Sequence, residues 1–327
     1  MVDLEVIDLQ NVELLAFGPI PSRRLGRSLG VNNVPLKMCT YSCVYCQLGR
    51  TSCMIVERTV FYEPKYILMQ VEKKIKEAKL RGERIDYITF APSGEPTLDV
   101  NLGKEISLLK SQGYPIAVIT NASLLWRRDV REDLLDADYI SFKVDAVSQD
   151  VWRHVNRPHR DLKLSDILDG IREFSKTFRG TLVSETMLID SLNYEGELLG
   201  IANFLRSLSK LDKAYIAIPT RPPAERWVKP AKETVINKTL QTFAENLGGS
   251  KVKCLTSYEE GTFAFTGDIE HDLLSITAVH PMRREALVEL LKKANVDWKV
   301  VERLLKEGKL VELVYEGIRY YVKKSRS

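Results

Sequence analysis

The sequence predicts an α/β protein, a partial (β/α)6 barrel followed by a C-terminal winged-helix domain. Between about residues 29 and 220 the same unit recurs: a short β-rich run, a turn with Gly, Pro or Asn, then a stretch of helical periodicity. The β-rich runs carry Ile, Val, Tyr or Phe, and several lack clean in/out alternation, as in parallel strands covered on both faces. From residue 268 onward the pattern changes to three short helical stretches and a hairpin. A flat, doubly wound sheet would share the same periodicity and remains the competing architecture.

Taken in order, the strands are expected at 28–34, 86–90, 116–120, 139–144, 181–189 and 214–218. The first helix can open on Pro64, because a proline in the first turn gives up an amide that has no partner there. Ile67, Val71, Ile75 and Ala78 then recur at helical spacing. Further helices are expected at 102–112, 128–135, 164–178, 194–208 and 232–246. In the tail, helices are expected at 268–278, 282–294 and 297–307, the last with Asp297 as N-cap and Gly308 as stop. Residues 310–314 and 318–322 alternate around Tyr315-Glu316-Gly317, a hairpin signal. The expected domains are an N-terminal extension (1–28), the barrel (29–225), a capping helix and linker (226–267) and the winged helix (268–327).

Composition narrows the class. The 327 residues are 44% apolar and 28% charged, ordinary for a globular protein. No apolar run approaches the roughly 18 residues that span a bilayer. The start, Met1-Val2-Asp3-Leu4-Glu5, lacks a secretory signal, so the expected location is cytoplasmic, with no membrane partner. A net charge of +4 does not demand nucleic acid. Cys39, Cys43, Cys46 and Cys53 are clustered, while Cys254 stands apart and reads as a small buried strand residue. Such a distribution is poor for a disulfide framework and points to metal.

Cys39, Cys43 and Cys46 follow the first strand at x3 and x2 spacing. Three thiolates can wrap one metal or one cubane cluster. If Cys53 supplies a fourth ligand, the site is a closed zinc knuckle and the protein a non-enzymatic regulator whose tail binds DNA. If Cys53 is a bystander, a coordination position stays open for chemistry. Beyond the cysteines, polar residues fall at or near the ends of successive strands: Ser93-Gly94-Glu95-Pro96, Thr120-Asn121, Ser141 and Lys143 with Asp145, Glu185, and Ile218-Pro219-Thr220-Arg221. The C-terminal rim is where parallel α/β barrels assemble their sites. Gly94 and Pro96 suit a tight turn, and Glu95 supplies charge beside it.

The three-cysteine spacing, with Tyr45 before the last cysteine and Gly94-Glu95-Pro96 after the second strand, resembles the radical S-adenosylmethionine (SAM) superfamily. The resemblance implies that Cys39, Cys43 and Cys46 hold three irons of a [4Fe-4S] cluster whose fourth iron chelates SAM. One electron, from a ferredoxin- or flavodoxin-type donor, would cleave SAM to methionine and a 5′-deoxyadenosyl radical that abstracts hydrogen from a substrate. It further implies SAM contacts at Tyr45, Ser93, Gly94, Glu95, Thr120 and Asn121. Ser141 and Lys143 would neighbour the ribose or the methionine carboxylate, Glu185 a SAM hydroxyl, and Ile218 the adenine. Over about residues 17–225, including Phe17-Gly18-Pro19 and Pro219-Thr220-Arg221, the chain is similar to the branch that contains the wyosine-synthesis tRNA enzyme. Wyosine synthases of that branch bind a second cluster through three further upstream cysteines. This chain has none before Cys39.

Substrate candidates are Arg23, Arg24 and Arg27 before the first strand, Arg221, and His154 and Arg157. The last two lie in residues 152–160, read as a surface loop whose basic and aromatic side chains could meet phosphate or RNA. An RNA nucleoside, a protein and a small metabolite docked by the winged helix are the substrate classes considered. Lys143 is expected to pair with Asp145 or the SAM carboxylate, the alternative being a Schiff-base nucleophile. The third tail helix mixes acidic with basic residues, so its charge permits RNA or a protein partner and compels neither.

Overall fold

The computed structural model describes residues 15–190, 192–255 and 263–324. Residues 1–14 of the expected extension and the terminal Arg326 lie outside that range. The chain enters as an antiparallel hairpin, β1 (Ala16–Ser22) and β2 (Gly26–Val31), at the edge of the main sheet. Residues 16–28, expected as an extension, are therefore built into the sheet. The cysteine-bearing segment follows, with β3 (Met38–Cys39) and β4 (Cys53–Met54) paired parallel. Alternation then proceeds through α1 (Pro64–Leu80), β5 (Tyr87–Phe90), α2 (Leu102–Lys110), β6 (Ile116–Thr120), α3 (Arg128–Asp133), β7 (Tyr139–Lys143), α4 (Gln149–Asn156) and α5 (Leu164–Thr177). It ends with β8 (Thr181–Met187), α6 (Glu197–Arg206), β9 (Lys213–Ala217), α7 (Glu233–Leu247) and β10 (Val252–Leu255).

The sheet has eight strands in the order β1-β2-β5-β6-β7-β8-β9-β10, parallel from β2 onward. Each of the six expected strands is present within a few residues of its expected bounds. The additional parallel strand, β10, carries Cys254. Helix α4 was not expected. Residues 152–156, read as part of a loop, form its second half because Trp152 and Val155, three apart, are both buried on one face. Arg157 then leaves the helix with φ +45.

On one face of the sheet, strand residues such as Leu29, Ile88, Phe90, Val118, Ile140, Phe142 and Ile216 pack against apolar stripes of the helices. On the other face, Leu25, Ala117, Tyr139 and Val183 meet Tyr87 and Tyr215 from neighbouring strands, filling the N-terminal end of the interior. Side chains from β1, β2, β5, β6, β7 and β8, with the segment after β9, also line a single cavity above this plug, so the sheet curves around it. Arg23, at the hairpin turn, donates to the carbonyl of Leu255 at 2.6 Å and links the first strands to the end of the last.

The tail consists of α8 (Ile269–Val279), β11 (Met282–Arg283), α9 (Arg284–Ala294), α10 (Lys299–Lys306), β12 (Leu310–Tyr315) and β13 (Ile318–Lys323). Its strands form a sheet in the order β11-β13-β12. Leu273, Ile276, Met282, Leu287, Leu290, Val301, Leu304 and Tyr321 make a separate core. Met282, expected to open a helix, instead pairs with Tyr321 across β11 and β13. Asp297 is not the N-cap of α10. That position is Trp298, and Asp297 accepts from the Lys299 N–H at 3.0 Å, a local turn that leads into the helix. Gly308 follows the helix with φ +67. Among the described residues no helix is long and apolar enough to cross a membrane.

A buried polar clamp joins tail and barrel. Lys74 on α1 donates to Thr266 Oγ1 at 2.7 Å and to Asp272 Oδ1 on α8 at 3.2 Å, and Lys74 and Asp272 are 4% and 1% exposed. Removing one partner of a buried pair strands the other charge. Lys74→Met should therefore cost about 3–5 kcal/mol, and Lys74→Met with Asp272→Leu should recover part of that loss. Chemical denaturation of the three proteins checks both expectations.

Candidate cofactor and active site

The site begins with two loops that need each other. The Lys37 N–H donates to the Ser93 carbonyl at 2.9 Å, and the Glu95 N–H donates to the Met38 carbonyl at 3.1 Å. At this crossing a Cβ on residue 94 would lie 1.9 Å from the Met38 oxygen, so only glycine lets the loops meet. The cysteine loop is pinned on its other side by α4: Ser42 N–H to Asn156 O at 3.1 Å and Val44 N–H to Val155 O at 2.9 Å. Val44 and Tyr45 also pack with Val155, Ile189 and Val228.

Cys39, Cys43 and Cys46 are partly exposed free cysteines, and all three line one cavity of about 350 Å³ at the C-terminal ends of the parallel strands. Each sulfur receives a different N–H donor. Asn121 Nδ2 lies 3.5 Å from Cys39 Sγ, Asn156 Nδ2 3.6 Å from Cys43 Sγ, and Lys37 Nζ 3.8 Å from Cys46 Sγ. Cys53 is exposed on β4 and does not line the cavity. Burial pushes the Cys39 thiol well above its ordinary range, reinforced by Glu95. Burial, with Asp145 nearby, pushes the Cys43 thiol up to about 12.

The surrounding charges are mutually engaged. Glu95 accepts from the Thr97 N–H at 3.2 Å and hydroxyl at 2.6 Å, the Thr120 hydroxyl at 2.6 Å and the Asn121 N–H at 2.8 Å. Desolvation nonetheless raises its pKa. Glu95 thus ties the rims of β5 and β6 together. Lys143, expected to pair with Asp145 or the SAM carboxylate, pairs with Glu185, its register partner on β8, at 2.7 Å. Burial holds its pKa below the ordinary lysine value, and Arg24 forms a second ion pair with Glu185. Asp145 accepts from Asn156 Nδ2 at 2.7 Å, from the Met187 N–H at 2.9 Å and from the Tyr45 hydroxyl.

Of the sequence-derived residues, Tyr45, Ser93, Gly94, Glu95, Thr120, Asn121, Lys143, Glu185 and Ile218 line the cavity with the three cysteines. Ser141 does not: it lies two residues before Lys143 on β7, on the same face one strand repeat deeper. Arg23, Arg24 and Arg221 also line it. Arg27 pairs with Glu83 at 2.8 Å outside it. His154 packs at a tilt against Trp227, ring centroids 5.4 Å apart, and Arg157 pairs with Glu225 at 2.5 Å, neither reaching the cavity. Sequence reasoning missed Lys37, Asn156 and His280. His280, just past α8, lines the cavity, and its Nε2 lies 2.6 Å from Arg221 Nη2.

The donor set fits an iron–sulfur cluster. Three thiols face one cavity, each already given an N–H donor, and burial keeps Cys39 and Cys43 protonated unless a cation holds them as thiolates. Among the described residues no three His, Cys, Asp or Glu side chains close on a single-ion position. The fold and this rim define the class of α/β enzymes that build a cofactor site across the ends of parallel strands. The chain belongs to the radical SAM superfamily, whose pattern matches residues 33–205 and whose enzymes use a [4Fe-4S] cluster and SAM. It is 48% identical over 314 residues to the UPF0026 protein MJ1312 of Methanocaldococcus jannaschii, covering 96% of this chain and 97% of that protein. Two solved structures share the fold. One is TYW1 with a lysine-pyruvate adduct bound (TM-score 0.50, 17% identity, 67% of this chain and 74% of that one). The other is a radical SAM methyltransferase from Sphaerobacter thermophilus (TM-score 0.52, 15% identity, 70% and 67%).

The raised Cys43 thiol has a consequence for the cluster-free protein. The unfolded chain loses this proton near 9.0, whereas the folded chain keeps it to about 12. The fold therefore binds the extra proton between those values, and stability falls as pH rises through that window. Melting temperatures of cluster-free protein should decline across it, and Cys43→Ser should flatten part of the decline. An equal decline in both proteins would contradict the assignment.

Proposed function

We infer that this protein is a radical SAM enzyme in which Cys39, Cys43 and Cys46 hold one [4Fe-4S] cluster and the Gly94-Glu95-Pro96 turn receives the SAM amino group. The observation that carries this reading is the convergence of the three cysteines and that turn on one cavity. A cluster held by Cys39, Cys43 and Cys46 would supply one electron, received from a ferredoxin- or flavodoxin-type donor, for reductive cleavage of SAM and hydrogen abstraction from substrate. The chain's own residues prepare the place. Gly94 lets the two loops close, and Glu95 fixes the rim at Thr120 and Asn121, where SAM would lie. Lys143 and Glu185 present a paired cation and anion to the polar parts of SAM. The apolar plug below shields the cavity floor from water.

The tail reads as a winged helix over residues 268–327 that closes the barrel of residues 29–225 and docks the substrate. This is supported by His280 in the cavity wall and by the Tyr320 hydroxyl, which donates to the Thr220 carbonyl at 2.8 Å. The substrate class favoured is an RNA nucleoside, on the likeness to the wyosine-synthesis branch. Against a wyosine synthase itself stands the absence of any cysteine before Cys39.

Anaerobically reconstituted protein should release 5′-deoxyadenosine from SAM under dithionite. Replacing Cys39, Cys43 and Cys46 together by Ala should abolish that release while far-UV circular dichroism stays unchanged. Protein that holds zinc without iron or sulfide would overturn the reading. For the substrate, saturable tRNA binding that weakens steeply with salt is expected. Absent or salt-independent binding would shift the assignment to a protein or a small metabolite.

A further inference from the structure

We propose that Lys37, Asn121 and Asn156 are positioning residues that set the reduction potential of the cluster, one N–H donor to each cysteine sulfur. The proposal rests on the radical SAM reading of the three cysteines. The donors come from separate places in the chain: the loop after β2, the end of β6 and the end of α4. Each is held by a further contact. Asn121 Nδ2 also donates to Thr40 Oγ1 at 2.8 Å, and its Oδ1 accepts from the Ser123 N–H at 2.9 Å. Asn156 Nδ2 also donates to Asp145 Oδ2 at 2.7 Å, in a residue only 3% exposed. Lys37, 7% exposed and with φ +62, also donates from Nζ to the Gly49 carbonyl.

Reduction adds one negative charge to a cluster bordered by buried polar groups, Glu95 at 1% and Asn156 at 3% exposed. An N–H directed at a coordinating sulfur draws off part of that charge and favours the reduced form, and a lysine adds a full positive charge. Losing a donor must therefore move the potential to more negative values. SAM cleavage begins with electron entry, so these residues would govern how strong a reductant the enzyme requires, without touching SAM through Lys37 or Asn156.

The test is a potentiometric titration followed by electron paramagnetic resonance on reconstituted protein, with iron and sulfide measured per chain. Lys37→Met and Asn156→Leu should each lower the reduced-to-oxidised ratio at fixed ambient potential by about tenfold, or about 59 mV for a one-electron couple. Lys37→Arg, which keeps a charged N–H donor, should restore most of the shift. Wild-type potentials in both Lys37→Met and Asn156→Leu at full iron content would overturn the proposal. If Asn156→Leu fails to hold iron, the Lys37→Met and Lys37→Arg pair decides it. Wild-type protein that assembles no four-iron cluster would instead sink the functional reading on which the proposal stands.

Discussion

The contact between the Met38 carbonyl and Gly94 is the constraint on which the rest of the site depends. The cysteines sit on a long segment between β2 and α1 with little regular structure of its own, and nothing local would hold three thiols toward one cavity. Two backbone hydrogen bonds, Lys37 to Ser93 and Glu95 to Met38, fasten that segment to the end of β5. They form only because residue 94 has no Cβ. Glu95 extends the same fastening to β6 through Thr120 and Asn121. The Gly-Glu-Pro turn thus acts as a structural joint between the cluster loop and the sheet as well as a candidate SAM contact.

Around that joint the balance of forces is unusual for a protein interior. Three thiols, two carboxylates and two lysines border one cavity, and burial opposes ionisation in Cys39, Cys43, Glu95 and Lys143. Hydrogen bonding offsets part of that cost. Asp145 takes three donors and Glu95 four. The thiols have only one side-chain donor each in the bonds described above, so they gain most from a bound cation. Such concentration of desolvated groups is characteristic of functional sites, where stability is given up for chemistry.

The tail is part of this arrangement. Lys74, Thr266 and Asp272 join α1 to α8 through buried polar contacts, and α8 leads directly into His280 at the cavity wall. Tyr320 of β13 bonds the Thr220 carbonyl beside Arg221. The C-terminal elements therefore form part of the cavity wall, through Val279 and His280.

By itself the sequence determined what local chemistry dictates: the strand–helix alternation, the cysteine spacing, and the polar residues at strand ends. Periodicity and spacing are short-range properties, so Ile116–Thr120 and Cys39, Cys43 and Cys46 were legible at once. The hairpin strand β1 was hidden because its sequence, Ala-Phe-Gly-Pro-Ile-Pro-Ser, carries a glycine and two prolines that read as loop. Helix α4 was hidden by its shortness and basic surface. The partners were decided only in the folded chain. Lys143 turned to Glu185 because adjacent strands placed them in register, although Asp145 is nearer in sequence. Asn156 reached Cys43 across 113 residues. Burial and close approach depend on how distant segments pack, and no window of sequence contains both sides of such a contact.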